Sequence, residues 1–127
     1  MHDLAADTSL GSGLRGRVLR KEPDRVIMAV PVGKGEVLVQ VMRKGELLVA
    51  TAMLGWPETA LREAASPYRD RGMQALVNRG CCFLRMRVAS LASLVADVEA
   101  LAKASAEIVR ATDFTPIMRD VFAHFLD

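Results

Sequence analysis

Residues 25–54, RVIMAVPVGKGEVLVQVMRKGELLVATAML, decide how the chain folds. They hold three apolar runs rich in β-branched residues, RVIMAVP, EVLVQVM and LLVATAML, separated by the turn-forming stretches VGKG and RKGE. Runs this short, with glycine at each reversal, predict antiparallel hairpins. Upstream, LRGRVLR followed by KEPD adds another strand and turn, so Leu14 to Leu54 reads as a four-stranded antiparallel meander. The period of two places Val37, Val39 and Val41 on one face, with Leu38, Gln40 and Met42 on the other. The flanking runs are apolar on both faces: Val26, Met28 and Val30 oppose Ile27 and Ala29, and Leu47, Val49 and Met53 oppose Leu48, Ala50, Ala52 and Leu54. Strands of that kind are covered on both sides. Helices are therefore expected on one face, and further helices or a partner subunit on the other.

After Gly55, WPETALREAAS predicts a short helix ending near Ala65, with Pro57 at its first position. YRDRGMQALVN (68–78) is expected to form a second short helix closed by Gly80, with MQALVN as one arm of a hairpin turning at Arg79-Gly80 as the alternative. CCFLRMRV (81–88) alternates, placing Cys82, Leu84, Met86 and Val88 on a buried face and Cys81, Phe83, Arg85 and Arg87 on an accessible one. Ser90 is expected to cap a long helix in which Leu91, Leu94, Val98, Leu101, Ser105 and Ile108 recur every three or four residues. A stripe of Ala92, Ala96, Ala100 and Ala104 would let another element approach that helix closely. A last amphipathic helix is expected after Thr115, with Ile117, Met118, Val121, Phe122, Phe125 and Leu126 on one face. The expectation is thus an α+β fold: an antiparallel meander of four to five strands against two C-terminal amphipathic helices, plus one or two short helices. Residues 1–13 read as a flexible tail, and 14–127 as one domain.

Composition narrows the function classes. The chain of 127 residues is 51% hydrophobic, with a net charge of +2 and a mean hydropathy of +0.20. Apolar surface is expected to remain after one core is filled, which favours a homodimer. The longest charge-free apolar stretch, Leu47 to Pro57, is too short to span a membrane. The first residues have neither a basic nor an apolar segment of a secretory signal, so a cytoplasmic location is expected. Residues 56–90 carry six basic and three acidic side chains, and residues 91–127 three basic and six acidic.

Catalytic, metal and cofactor chemistry finds little support in the residues. Adjacent cysteines in a strand point to opposite faces, so Cys81 and Cys82 cannot easily grip one metal, and the two histidines, His2 and His124, lie at the chain ends. The Gly33-Lys34-Gly35 segment lacks the earlier glycine and following hydroxyl of a phosphate loop; Met28 and Gly35 hold those positions, and the segment reads as a hairpin turn. No nucleophile and base are spaced for catalysis. A non-enzymatic protein with no cofactor or metal is expected. Arginine supplies 13 of the 17 basic residues and suits bidentate contacts to carboxylates, but aromatic residues are too few for a stacking platform, so nucleic acid is not expected as a partner.

Two resemblances bear on function. DTSLGSG (7–13) is similar to the Asp-x-Ser-x-x-Gly signature of PilZ cyclic-di-GMP receptors, with Ser12 at the final glycine position and no upstream Arg-x-x-x-Arg. The layout of ELLVATAMLGWPE (46–58), CCFLRMRV (81–88) and the long helix from Ser90 to Arg110 resembles the α/β chaperones of type III secretion effectors and YbjN-like domains. Those chaperones usually open with a helix and are usually acidic, whereas this chain opens with strands and has a pI of about 8.8. That likeness implies a homodimer binding an extended partner segment without catalysis. On these grounds Arg85, Arg87, Phe83, Trp56 and Leu48 are the expected partner-binding residues. The alternative is an anion- or nucleotide-sensing face built on Arg15, Arg17 and Arg20.

Overall fold

The computed structural model describes residues 17–56 and 58–112. The N-terminal tail, Arg15, His124 and the last expected helix lie outside the described residues. The fold is α+β. Strands β1 (Arg17–Glu22), β2 (Arg25–Val32), β3 (Gly35–Lys44) and β4 (Leu47–Gly55) follow one another as antiparallel neighbours. Helix α1 (Glu58–Ala65) and a 3-10 segment (Ser66–Arg71) lead to β5 (Met73–Asn78), β6 (Cys81–Val88) and the long helix α2 (Leu94–Ala111). All strands join one six-stranded sheet in the order β1-β2-β3-β4-β6-β5.

The turns explain the hairpins. Gly33 and Gly45 open the two-residue reversals β2–β3 and β3–β4 at φ of 60° and 62°, a conformation that an L side chain adopts only with strain. The third such turn decides the region 68–80 against the expected helix. Arg79 and Gly80 both take positive φ, 53° and 79°, so MQALVN becomes a hairpin arm. The helical part shrinks to the 3-10 segment, which stops at Gly72 in the left-handed conformation. β6 then inserts between β4 and β5, which breaks the simple meander.

One face of the sheet carries the core. Val26, Met28 and Val30 of β2, Val39 and Val41 of β3, Leu48, Ala50, Ala52 and Leu54 of β4, and Cys82, Leu84 and Val88 of β6 are all buried there. α2 covers them with Leu94, Val98, Leu101 and Ile108, and α1 with Leu61 and Ala65. Ala50 and Ala52, in the strand α2 packs on most closely, leave room for the leucines above. Two polar groups are buried with α2, and both are satisfied inside the helix. Ser105 Oγ donates to the Leu101 carbonyl at 2.7 Å, and Thr112 Oγ1 to the Ile108 carbonyl at 2.9 Å.

Two expectations for α2 change. Ser90 caps a preceding turn in place of the helix: its Oγ accepts from the Ser93 amide at 3.2 Å, Ser93 Oγ donates to Asp97 at 2.9 Å, and the helix starts at Leu94. Of the alanine stripe only Ala104 is buried; Ala92, Ala96 and Ala100 are exposed, because α2 turns its leucine face to the sheet. The short helical pieces are tied to α2 by Tyr68, whose hydroxyl donates to Glu107 Oε2 at 2.8 Å. The Arg71 guanidinium lies 4.9 Å from the Tyr68 ring centre. The Glu107 carboxylate, accepting this hydrogen bond, pushes the phenol pKa up, with burial adding to it.

Truncating Leu84, fully buried under α2, to alanine should cost about 2–5 kcal/mol in urea unfolding, and Met53→Ala on the opposite face less than about 1 kcal/mol. Tyr68→Phe should cost about 1 kcal/mol at neutral pH. Because the folded phenol has the raised pKa, its contribution is complete below the ordinary tyrosine range and lost above it. The gap between wild type and Tyr68→Phe should therefore narrow above a pH of about 10.

Candidate functional site

Both helices sit on one side of the sheet, and among the described residues the other side is uncovered. The strand registers fix what that open face presents, because residues directly opposite in antiparallel strands share a face. Beside Ala29, Leu38 leads to Met53, then Phe83, then Leu76, an apolar row running from β2 to β5. The adjacent row starts at Ile27 and is polar from there on: Gln40, Thr51, Arg85 and Gln74. The third row is Arg25, Met42, Val49 and Arg87. A shallow hollow of about 190 Å³ lies between the first two, walled by Ile27, Leu38, Gln40, Thr51, Met53 and Phe83. Leu38 and Met53 remain 42% and 36% exposed, large values for apolar side chains inside a sheet.

Three of the expected partner-binding residues come together here. Phe83, Arg85 and Arg87 project from β6 onto this face beside Met53, Thr51 and Val49 of β4. Trp56, 59% exposed, stands at the end of β4, its indole turned toward Gly80 of the β5–β6 turn, where an added methyl would meet Nε1 at 3.7 Å. Leu48 does not belong to the face. It points the other way, is 7% exposed and packs in the core, since its period along β4 matches that of Ala50 and Ala52. The sequence reading overlooked Leu38, Met53 and Leu76, whose alignment with Phe83 depends on strand order. The interleaved Gln40 and Thr51 are the signal that this face meets solvent.

The arginines divide into two groups. Arg17 pairs with Glu36 at 3.3 Å and Arg20 with Glu22 at 2.7 Å, while Arg25 donates to both oxygens of Glu22 at 3.0 and 3.1 Å. The hydrogen bond from Arg25 is the main cause that holds the Glu22 carboxyl below its usual range, with Arg20 adding to it. The Arg17 and Arg20 contacts are exposed and that of Arg25 half-buried, and exposed pairs of this kind contribute little to stability. Their consequence is neutralisation: Arg17 and Arg20 already face carboxylates. β1 is also four strand steps from β6, about 19 Å at the usual spacing. The two arginine sets therefore form no common patch. Arg85 and Arg87 are exposed and have no carboxylate partner among the described residues.

The cysteine pair is split between faces as expected, but both members are buried. Cys81 is 5% exposed in place of accessible, because it sits at the tight β5–β6 turn, next to Gly80 where the Trp56 indole approaches. Burial is the foremost cause that pushes the Cys82 thiol pKa up, against the lowering influence of Arg62. A protonated, enclosed thiol is a poor nucleophile. Among the described residues no group of three or more His, Cys, Asp and Glu converges to hold a metal ion, and no helix is long and apolar enough to cross a membrane. The open face offers dispersion contacts, amide and hydroxyl hydrogen bonds, and guanidinium groups free to meet carboxylates. Comparison with protein-family models, curated proteins and solved structures finds no match for this chain.

Alkylation by iodoacetamide at mildly alkaline pH, followed by mass spectrometry, should label both cysteines more than about tenfold more slowly in the native protein than in urea. Equal rates would contradict the burial.

Proposed function

We propose that the protein is a non-enzymatic protein-binding module of chaperone or adaptor type, which takes an apolar and acidic segment of a partner protein on its open sheet face. One observation carries the reading: the uncovered row Leu38–Met53–Phe83–Leu76 lies one row from Arg85 and two from Arg87, which have no carboxylate partner among the described residues. A sheet face bearing phenylalanine, methionine and arginine side by side has the composition of an interface core, since these residue types are enriched where proteins meet. The arginines select carboxylates and the apolar row supplies burial. Homodimerisation is part of the same reading. Its support is the leftover apolar surface at Val18, Leu19, Leu47 and Trp56, all exposed and away from the central row.

The expected behaviour is suppression of aggregation of the reduced insulin B chain by the wild-type protein near equimolar ratio, followed by light scattering. Met53→Asp and Arg85→Glu/Arg87→Glu variants, with folding checked by circular dichroism, should lose most of that suppression. Full suppression by both variants, or none by the wild type, would remove the assignment of this face. Multi-angle scattering behind size exclusion should give twice the chain mass; a strict monomer at high concentration would remove the dimer.

A further inference from the structure

We propose that β5 is a strand-addition edge that receives an extended acidic segment of the partner. This rests on the protein-binding reading and names both the mode of attachment and the chemistry of what attaches. A sheet that ends in water exposes unpaired N–H and C=O groups, and proteins usually blunt such edges with charge, proline or bulges. The two edges of this sheet are treated differently. β1 carries Arg17, Arg20, Lys21 and Glu22 within six residues, and its pairing with β2 slips between Val18 and Arg20. β5 reads Met-Gln-Ala-Leu-Val-Asn, without charge or proline, and pairs in unbroken register with β6. Among the described residues no backbone group of β5 bonds to anything on its outer side. Among the described residues the edge is regular in register, uncharged and uncovered.

Charge around β5 selects the occupant. A hollow of about 380 Å³ beside it on the helix side is lined by Arg62, Arg69, Glu63 and Ala75 of β5 itself. On the open side Arg85 lies directly across from Gln74. Arg79 stands in the turn that follows β5. Arg62, Arg69, Arg79 and Arg85 make no ion pair with a carboxylate among the described residues. An added strand directs alternate side chains to the two faces. Acidic side chains on such a strand would reach Arg85 on one side and Arg62 with Arg69 on the other. A second copy brings the same arginine-rich surroundings to the edge and no acidic strand, and antiparallel pairing about Ala75 would set Arg71 of each copy opposite Arg79 of the other.

The test uses the full chain and a synthetic capped seven-residue peptide, Val-Glu-Glu-Val-Glu-Glu-Val, which as a strand carries glutamates on both faces, with backbone amide NMR as the readout. Shift changes concentrated at Gln74–Asn78 and Arg85 are expected. Affinity should be at least tenfold above that of the matching Lys-Val peptide and fall at least tenfold in Arg62→Glu/Arg69→Glu. A peptide of the same sequence N-methylated at every residue, which keeps the charge and has no N–H donor on either strand edge, should not bind. Equal binding of the Lys-Val or the N-methylated peptide would overturn the proposal. So would β5 amides as protected from exchange in the free protein as those of β4, which would mean that a second copy or another part of the chain already occupies the edge. Shifts confined to Leu38, Met53 and Phe83 would overturn strand addition while leaving the open-face reading intact, and failure in the insulin assay marks the reverse case.

Discussion

Everything else in this molecule depends on the contact between α2 and the middle of the sheet. An 18-residue helix has little stability of its own in water, so α2 is held by what it covers. What it covers is a floor lowered by Ala50 and Ala52 in β4, with Leu84 and Met86 directly across in β6. Leu94, Val98 and Leu101 fill the space above. α1 and the 3-10 segment extend the same layer toward β5, fastened by the hydrogen bond from Tyr68 to Glu107. The apolar side chains of the helices are thereby spent on one side.

The other side follows as a consequence. A sheet face meant for solvent alternates toward charge and hydroxyls, and one meant for a core excludes glutamine and arginine. The open face does neither. Leu38, Met53, Phe83 and Leu76 form one row, and Gln40, Thr51, Arg85 and Gln74 the next. Amide, hydroxyl and guanidinium groups keep this face hydrated, while the neighbouring row leaves apolar side chains in contact with water.

Much of this was legible in the residues. The period of two placed Leu48 with Ala50 and Ala52, and Phe83 with Arg85 and Arg87, and glycine marked the hairpins, because both signals are local. α1 ended at Ala65 as its composition suggested. Long-range choices were not legible. MQALVN has helix-compatible residues, and only the positive φ values at Arg79 and Gly80, together with pairing to β6, make it a strand. Insertion of β6 between β4 and β5 agrees with burial: Cys82 and Leu84 are flanked by both neighbours, whereas Gln74 and Asn78 tolerate an edge. The burial of Cys81 and the exposure of Ala92, Ala96 and Ala100 depend on which elements meet in space, which periodicity does not encode.

Charge shows the same division between what counting reveals and what topology decides. The chain has 13 arginines and a net charge of only +2, figures that suggest no particular surface. Strand order sorts the arginines. Arg17, Arg20 and Arg25 fall beside Glu36 and Glu22 at the β1 end of the sheet, where each meets a carboxylate. Arg85 and Arg87 fall at the other end, beside Thr51, Gln74 and Val49, with nothing acidic across from them. A guanidinium placed against neutral neighbours keeps its full attraction for an incoming carboxylate, whereas a paired one must first give up its partner. The near-neutral chain therefore places ion-paired charge at β1 and, among the described residues, guanidinium groups without carboxylate partners beside the apolar row and β5.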